Sequence, residues 1–216
     1  MHRFGIQPLT SRLVAAGLAL ASVALLCAVS GPASAAPAAK APALAGTWAV
    51  DPMHTKVTFS IKHLGLSDVT GSFSDVSGTL VADPAHLEKS SVNFTIQVKS
   101  VDTGVAMRDA DLRKKDYFDA DAYPTITFVS EKIMKRGKAG YAALGKLTIH
   151  GVSKPITLPF TIAGPIMDPW GSPRIGVTTA TTIDRFDYGV GQAGALPVGR
   201  TVNISIELEA TQPKKG

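Results

Sequence analysis

The chain has 216 residues, 45% hydrophobic and 18% charged, with 22 basic against 17 acidic side chains and a single cysteine. Setting aside a leader that holds Arg3 and Arg12 leaves 20 bases against 17 acids, a net charge of +3. So mild and unclustered a balance excludes a nucleic-acid-binding stripe, and a lone cysteine excludes a disulfide framework.

Residues 1–35 read as a Sec-type signal peptide. Arg3 and Arg12 give a positive start, Leu13–Val29 is an uncharged run, and Pro32-Ala33-Ser34-Ala35 supplies a cleavage site before Ala36. The run is shorter than the ~20 residues a membrane span needs, which favours a cleaved leader over an anchor. The arginines are not adjacent, so a twin-arginine signal is not supported. Cys27 follows Leu26 where a lipidated cysteine would follow a small residue. The expected location is therefore periplasmic or secreted, with no stable membrane insertion after cleavage. Residues 36–45 form an Ala/Pro linker, and 46–212 form the folded domain.

From Gly46 onward the pattern has the two-residue period of half-buried strands. Gly46–Val50 begins the first strand, and Pro52 is expected to end it. His54–His63 alternates next, with Val57, Phe59 and Ile61 on one face. Val69–Ala82 is read as one long strand in which Gly71 and Gly78 permit bends. Asp83-Pro84 starts a short helical turn over 85–89. Ser91–Val101 alternates with Val92, Phe94, Ile96 and Val98 inward. Residues 102–128 then break the pattern, as a charged crossover with a helix expected over 104–115, capped by Asp102 or Thr103. Strands follow at Thr125–Glu131, Tyr141–His150, Ile156–Ala163, Arg174–Asp184 and Arg200–Ala210. About eight or nine strands with one substantial helix argue for an all-β antiparallel sandwich or closed barrel. The last strand has the length and alternation to pair with the first.

Few residues carry chemistry. His54 and His63 lie nine residues apart on one strand, roughly 30 Å at 3.3 Å per residue, so they do not share a metal. His150 stands at a strand end beside Gly151. A haem or metal site would need histidines converging from different strand ends, without help from a thiolate. Asp109 and Asp111 do not share a helix face, and no nucleophile motif or phosphate loop is present. No catalytic residue, metal site or cofactor is assigned. Arg108, Asp109 and Arg185 are read as ion pairs pinning the crossover, or as polar groups at a cavity mouth. Phe59, Phe73, Phe94, Phe128 and Phe160 fall in strands and Phe118 in the crossover. They would line either a filled core or a narrow apolar tunnel.

Several motifs in order carry a resemblance. They are Asp51-Pro52-Met53-His54 with Phe59-Ser60-Ile61-Lys62-His63, Gly71-Ser72-Phe73, Ser77-Gly78-Thr79-Leu80, Ser100-Val101-Asp102-Thr103 and Arg108-Asp109-Ala110-Asp111-Leu112. Tyr117-Phe118-Asp119, Tyr123-Pro124-Thr125-Ile126-Thr127-Phe128, Gly145–Val152 and Thr181–Gly189 follow. From about Gly46 to Ala210 the chain resembles the YceI-like family of periplasmic polyisoprenoid-binding proteins, with Tyr117 standing where Phe is usual. The resemblance implies an eight-stranded antiparallel lipocalin-like barrel with one short crossover helix. Its lumen would hold a polyisoprenoid lipid or isoprenoid quinone, without catalysis. Expected lumen residues are Phe59, Ile61, Phe73, Phe94, Ile96, Met107, Leu112, Phe118, Phe128, Leu147 and Phe160. Expected mouth residues are His54, His63, Arg108, Asp109, His150 and Arg185. The alternatives are a histidine-dependent haem or metal redox module, and a stress-response barrel with a filled core. A dimer is compatible with the pattern but not implied by it.

Overall fold

A computed structural model describes residues 43–138, 140–191 and 198–212; the signal and most of the linker assigned from sequence lie outside them. The fold is a closed antiparallel β-barrel. Its strands are β1 (Gly46–His63), β2 (Ser67–Phe73), β3 (Val76–Ala82), β4 (Ser91–Gln97) and β5 (Val101–Asp102). After helix α1 (Ala106–Leu112) come β6 (Thr125–Arg136), β7 (Gly140–Ile149), β8 (Val152–Met167), β9 (Pro173–Asp184) and β10 (Val198–Thr211). Pairing of β10 with β1 closes the sheet, as the alternation of the last strand predicts.

These strands make eight staves. β1 pairs with β3 through Gly46–Ala49 and with β2 through Val57–His63, so β2 and β3 are one bent stave. β4 and β5 are another, joined by a 3-10 turn at Val98–Ser100. The long strand expected over Val69–Ala82 is therefore broken, and the break is at Ser74-Asp75 rather than at a glycine. There the Asp75 carbonyl accepts the Gln97 N–H at 2.9 Å. Gly71 and Gly78 instead allow close approach. A Cβ at Gly71 would strike the Phe59 ring, and one at Gly78 would lie 2.7 Å from the Asn93 carbonyl.

Pro52 does not end β1. The register against β10 jumps from Asp51↔Glu209 to Lys56↔Glu207, and neither β3 nor β2 pairs with 52–55. Proline's missing N–H therefore costs no ladder bond, which is where a strand tolerates it.

At the end of the barrel where Gly46 and Thr211 lie, Arg174 staples three segments. Its guanidinium lies 2.7 Å from Asp51 and from Glu209, and 3.4 Å from Asp168. That contact, opposed by burial, holds Asp51 down at about 2. A lowered carboxylate pKa stabilises the fold above the ordinary value of 3.8, and the contribution is lost as pH falls through about 2. Arg174→Ala would leave three carboxylates facing one another, and we expect a loss of about 1–2 kcal/mol in urea denaturation at neutral pH. Asp51→Asn should flatten the acid limb of the stability profile; an unchanged limb would show that other carboxylates set it.

Candidate functional site

The interior is packed unevenly. On the wall made by β4, β6 and β7, Phe94, Ile96, Ile126, Phe128, Leu147 and Ile149 are buried. On the opposite wall, register places Phe59, Ile204 and Thr181 in one inward row and Val57, Ile206, Thr179 and Phe160 in the next. Val57 is buried, but Phe59, Leu158, Phe160, Thr179, Thr181, Ile183, Ile204 and Ile206 keep part of their surface accessible. Phe59, Leu158, Phe160, Ile183 and Ile206 pack against the core without being fully buried, so this wall is less closely covered than the β4–β6–β7 wall. At the Arg174 end an apolar pocket of about 40 Å³ lies among Leu80, Val92, Tyr141, Phe160, Ile162 and Ile175. Leu44, Pro84 and Leu87 border it, and Trp48 Nε1 fastens Leu44 by donating to its carbonyl at 2.9 Å.

The other end, reached by the β1–β2, β7–β8 and β9–β10 connections, is covered by the crossover. Ladder pairing of β4 with β6 stops at Gln97↔Thr125, which leaves β5 paired only to β2. Residues 103–124 fill the seam. Arg113 donates to the carbonyls of Lys99 at 3.0 Å and Val101 at 2.8 Å, and the Val98 N–H donates to Pro124 at 2.9 Å. Phe118 packs edge-on against Phe73 with ring centroids 6.0 Å apart. Leu112 and Tyr117 are half-buried against the core.

The helix departs from expectation. It spans Ala106–Leu112, with Val105 at its N-cap and no side-chain cap. Asp102 instead accepts the Gly104 N–H, at 2.7 Å. Asp109 reaches back from inside the helix, accepting from the Thr103 N–H at 2.8 Å and the Thr103 hydroxyl at 2.6 Å. Arg108 donates to the same hydroxyl and to the Thr103 carbonyl. Asp109 is buried, and its pKa is lowered first by the Thr103 hydrogen bonds and further by the Arg113 and Arg108 charges. Arg108 and Asp109 thus fix the start of the crossover. Met107, expected in the lumen, is 77% exposed. On a seven-residue helix Asp109 and Leu112 take the inward face, and Met107 points away from it.

Arg185 is buried in the β9–β10 connection. It donates to the carbonyls of Gly199 at 2.9 Å, Val190 at 2.8 Å and Val198 at 3.2 Å, and lies over the Phe186 ring at 4.2 Å. Burial lowers its pKa from the guanidinium value, against the pull of Tyr117 and Asp184. Asp184 is held by Arg200, at 2.6 Å.

The histidines do not converge. His54 is not at the mouth but on the exposed outer side of β1, 2.9 Å from Asp51. His63 ends β1, and His150 packs edge-on against Tyr123 at 4.8 Å in the β7–β8 turn. Asp51, His54 and Glu209 are close enough to share a cation, but Arg174 already engages both carboxylates. On the outer wall a trough of about 1020 Å³ runs over Thr58, Ser60, Ser72, Thr182, Asn203 and Ser205.

No pattern in the sequence marks Thr179. Among the described residues, Thr179 Oγ1 is the buried side-chain polar atom without a hydrogen-bond partner, on the accessible wall between Ile206 and Phe160. Thr179→Val is expected to leave stability unchanged or raise it by up to about 1 kcal/mol in urea denaturation. A loss would reveal a partner for the hydroxyl.

Residues 48–210 match the family model described as the YceI-like domain. A UPF0312 protein of Pseudomonas savastanoi is 36% identical over 174 residues, covering 80% of this chain and 90% of that one. The solved structure of BcnA from Burkholderia cenocepacia superposes with a TM-score of 0.68 at 32% identity, covering 75% of this chain and 99% of that one. A polyisoprenoid-binding domain from Saccharophagus degradans shares the fold, with a TM-score of 0.61 at 17% identity over 77% of this chain and 98% of that one.

Proposed function

The chain belongs to the YceI-like family, and on that premise we propose that it is a non-catalytic carrier of an isoprenoid-type lipid, a polyprenyl chain or an isoprenoid quinone. The observation that carries this reading is the half-accessible apolar wall inside a closed barrel, from Phe59 across Ile204 and Ile206 to Leu158 and Phe160. A prenyl chain laid along that wall would remove its apolar surface from water. Each buried CH₂ contributes about 0.8 kcal/mol, so a long chain binds without a specific polar contact. The fold shared with a polyisoprenoid-binding domain supports the same class of cargo. Phe94, Phe128 and Leu147 form the packed wall behind the chain, and Leu112, Tyr117 and Phe118 roof it. Arg108, Asp109 and Arg185 hold the roof in place through backbone and Thr103 contacts. In this reading no metal, haem or other cofactor takes part. The leader read from residues 1–35 makes the carrier periplasmic or secreted.

Native mass spectrometry with solvent extraction of the exported protein tests this. The wild type is expected to hold one prenyl lipid, and Leu158→Trp, which fills the lumen from β8, is expected to lose it while keeping its β-sheet circular dichroism. A wild-type barrel that takes up neither a polyprenyl lipid nor a quinone would overturn the proposal.

A further inference from the structure

We propose that the β1–β2 hairpin tip, with Leu64 and Leu66, and the start of the crossover helix, with Val105 and Met107, form a surface that dips into a lipid bilayer while cargo is exchanged. This rests on the lipid-carriage reading for its purpose, but not for its geometry. The four side chains are 61%, 82%, 44% and 77% exposed. They lie at the same end of the barrel. β5 runs antiparallel to β2, so the chain leaving Asp102 rises beside β2 towards the hairpin tip, with Thr103 against Gly71. That is the end roofed by the crossover, away from the apolar pocket bordered by Leu44 and Leu87.

The tip is also strained in a way that packing does not repay. Leu64 and Gly65 have φ of 53° and 72°, so both central residues of the turn closed by the Leu66 N–H on the His63 carbonyl are left-handed, as in a type I′ turn. That conformation suits Asn or Gly and disfavours leucine. The β7–β8 turn has the same pair of left-handed residues, His150 at 50° and Gly151 at 73°. There the strained residue packs on Tyr123, whereas Leu64 points into solvent. A leucine held in a left-handed turn beside three more exposed apolar side chains is what a surface seated on another apolar phase looks like.

The surrounding charges select a bilayer without regard to its headgroup charge. Lys62 pairs with Asp68 at 2.9 Å, Lys114 with Asp111 at 2.7 Å and Lys99 with Asp121 at 2.8 Å. These three pairs are mixed in sign and neutralise one another, which fits binding by apolar insertion.

The test uses phosphatidylcholine vesicles carrying a fluorescent polyprenyl lipid, with and without phosphatidylglycerol. Leu66→Ser and Leu64→Asn are expected to slow transfer from vesicle to protein on the order of tenfold. The amount of lipid bound at equilibrium should not change, and adding phosphatidylglycerol should alter the rate of any one protein by no more than about twofold. Leu64→Asn should melt no lower than wild type, because asparagine accepts the left-handed turn; this separates a lost surface from a damaged fold. Cargo-free flotation with the vesicles, weakened by both variants, supports the surface even if no prenyl lipid is carried, in which case the carriage reading alone fails. Flotation and transfer rates equal to wild type in both variants would overturn the proposal. So would concentration-dependent self-association of wild type that Leu66→Ser abolishes, since a second copy would then be the occupant.

Discussion

The architecture turns on one gap in hydrogen bonding. A barrel removes sheet edges by closing, but the stave formed by β4 and β5 outruns its neighbour β6. Beyond Gln97 its backbone groups have strand partners on one side only, and buried main-chain groups cannot be left unbonded. A guanidinium supplies what a ninth strand would have supplied: Arg113 serves two carbonyls of the free edge. Asp109 and Arg108 then fasten the segment by its Thr103 end. The charge-dense crossover that interrupts an otherwise alternating sequence is, in physical terms, the substitute edge of the sheet.

Arg185 solves the same kind of problem between β9 and β10, where three carbonyls converge on one side chain. Both covers of this end therefore depend on arginine bonded to main chain. Carbonyls do not titrate, so the Arg185 clamp keeps its partners at any pH at which the fold survives. The opposite end depends on Arg174 among carboxylates, and its contribution is pH-dependent. A planar fork with several donors suits both tasks, and a lysine would meet neither geometry.

Much of this was legible in the alternation of apolar residues. The strands at 54–63 and 200–210 follow directly from it, and so does closure by the last strand on the first, whereas the run read as Ser91–Val101 holds only to Gln97, where a 3-10 turn interrupts it. Pro52 misleads because its penalty applies only where a ladder bond is lost, and the gap at 52–55 is visible only once both neighbours of β1 are known. The break at Ser74-Asp75 is similarly non-local, since the Gln97 N–H that it engages comes from the next stave. Met107 misleads because a helix of seven residues has too few turns for periodicity to choose its inward face. The uneven burial of the two walls is not legible at all. Phe94 on the buried wall and Phe160 on the half-accessible wall are the same residue type in the same strand pattern, and only the assembled barrel decides which is covered.

That unevenness has a mechanical consequence. Stiffness in a protein interior follows packing density, because close-packed side chains transmit displacement while loosely apposed ones absorb it. The β4–β6–β7 wall is a fixed backstop, and β8, β9 and β10 are the compliant panel. In the proposed carriage, guests of different girth would be met by bowing of that side, leaving the hydrogen-bonded seam on the other side undisturbed.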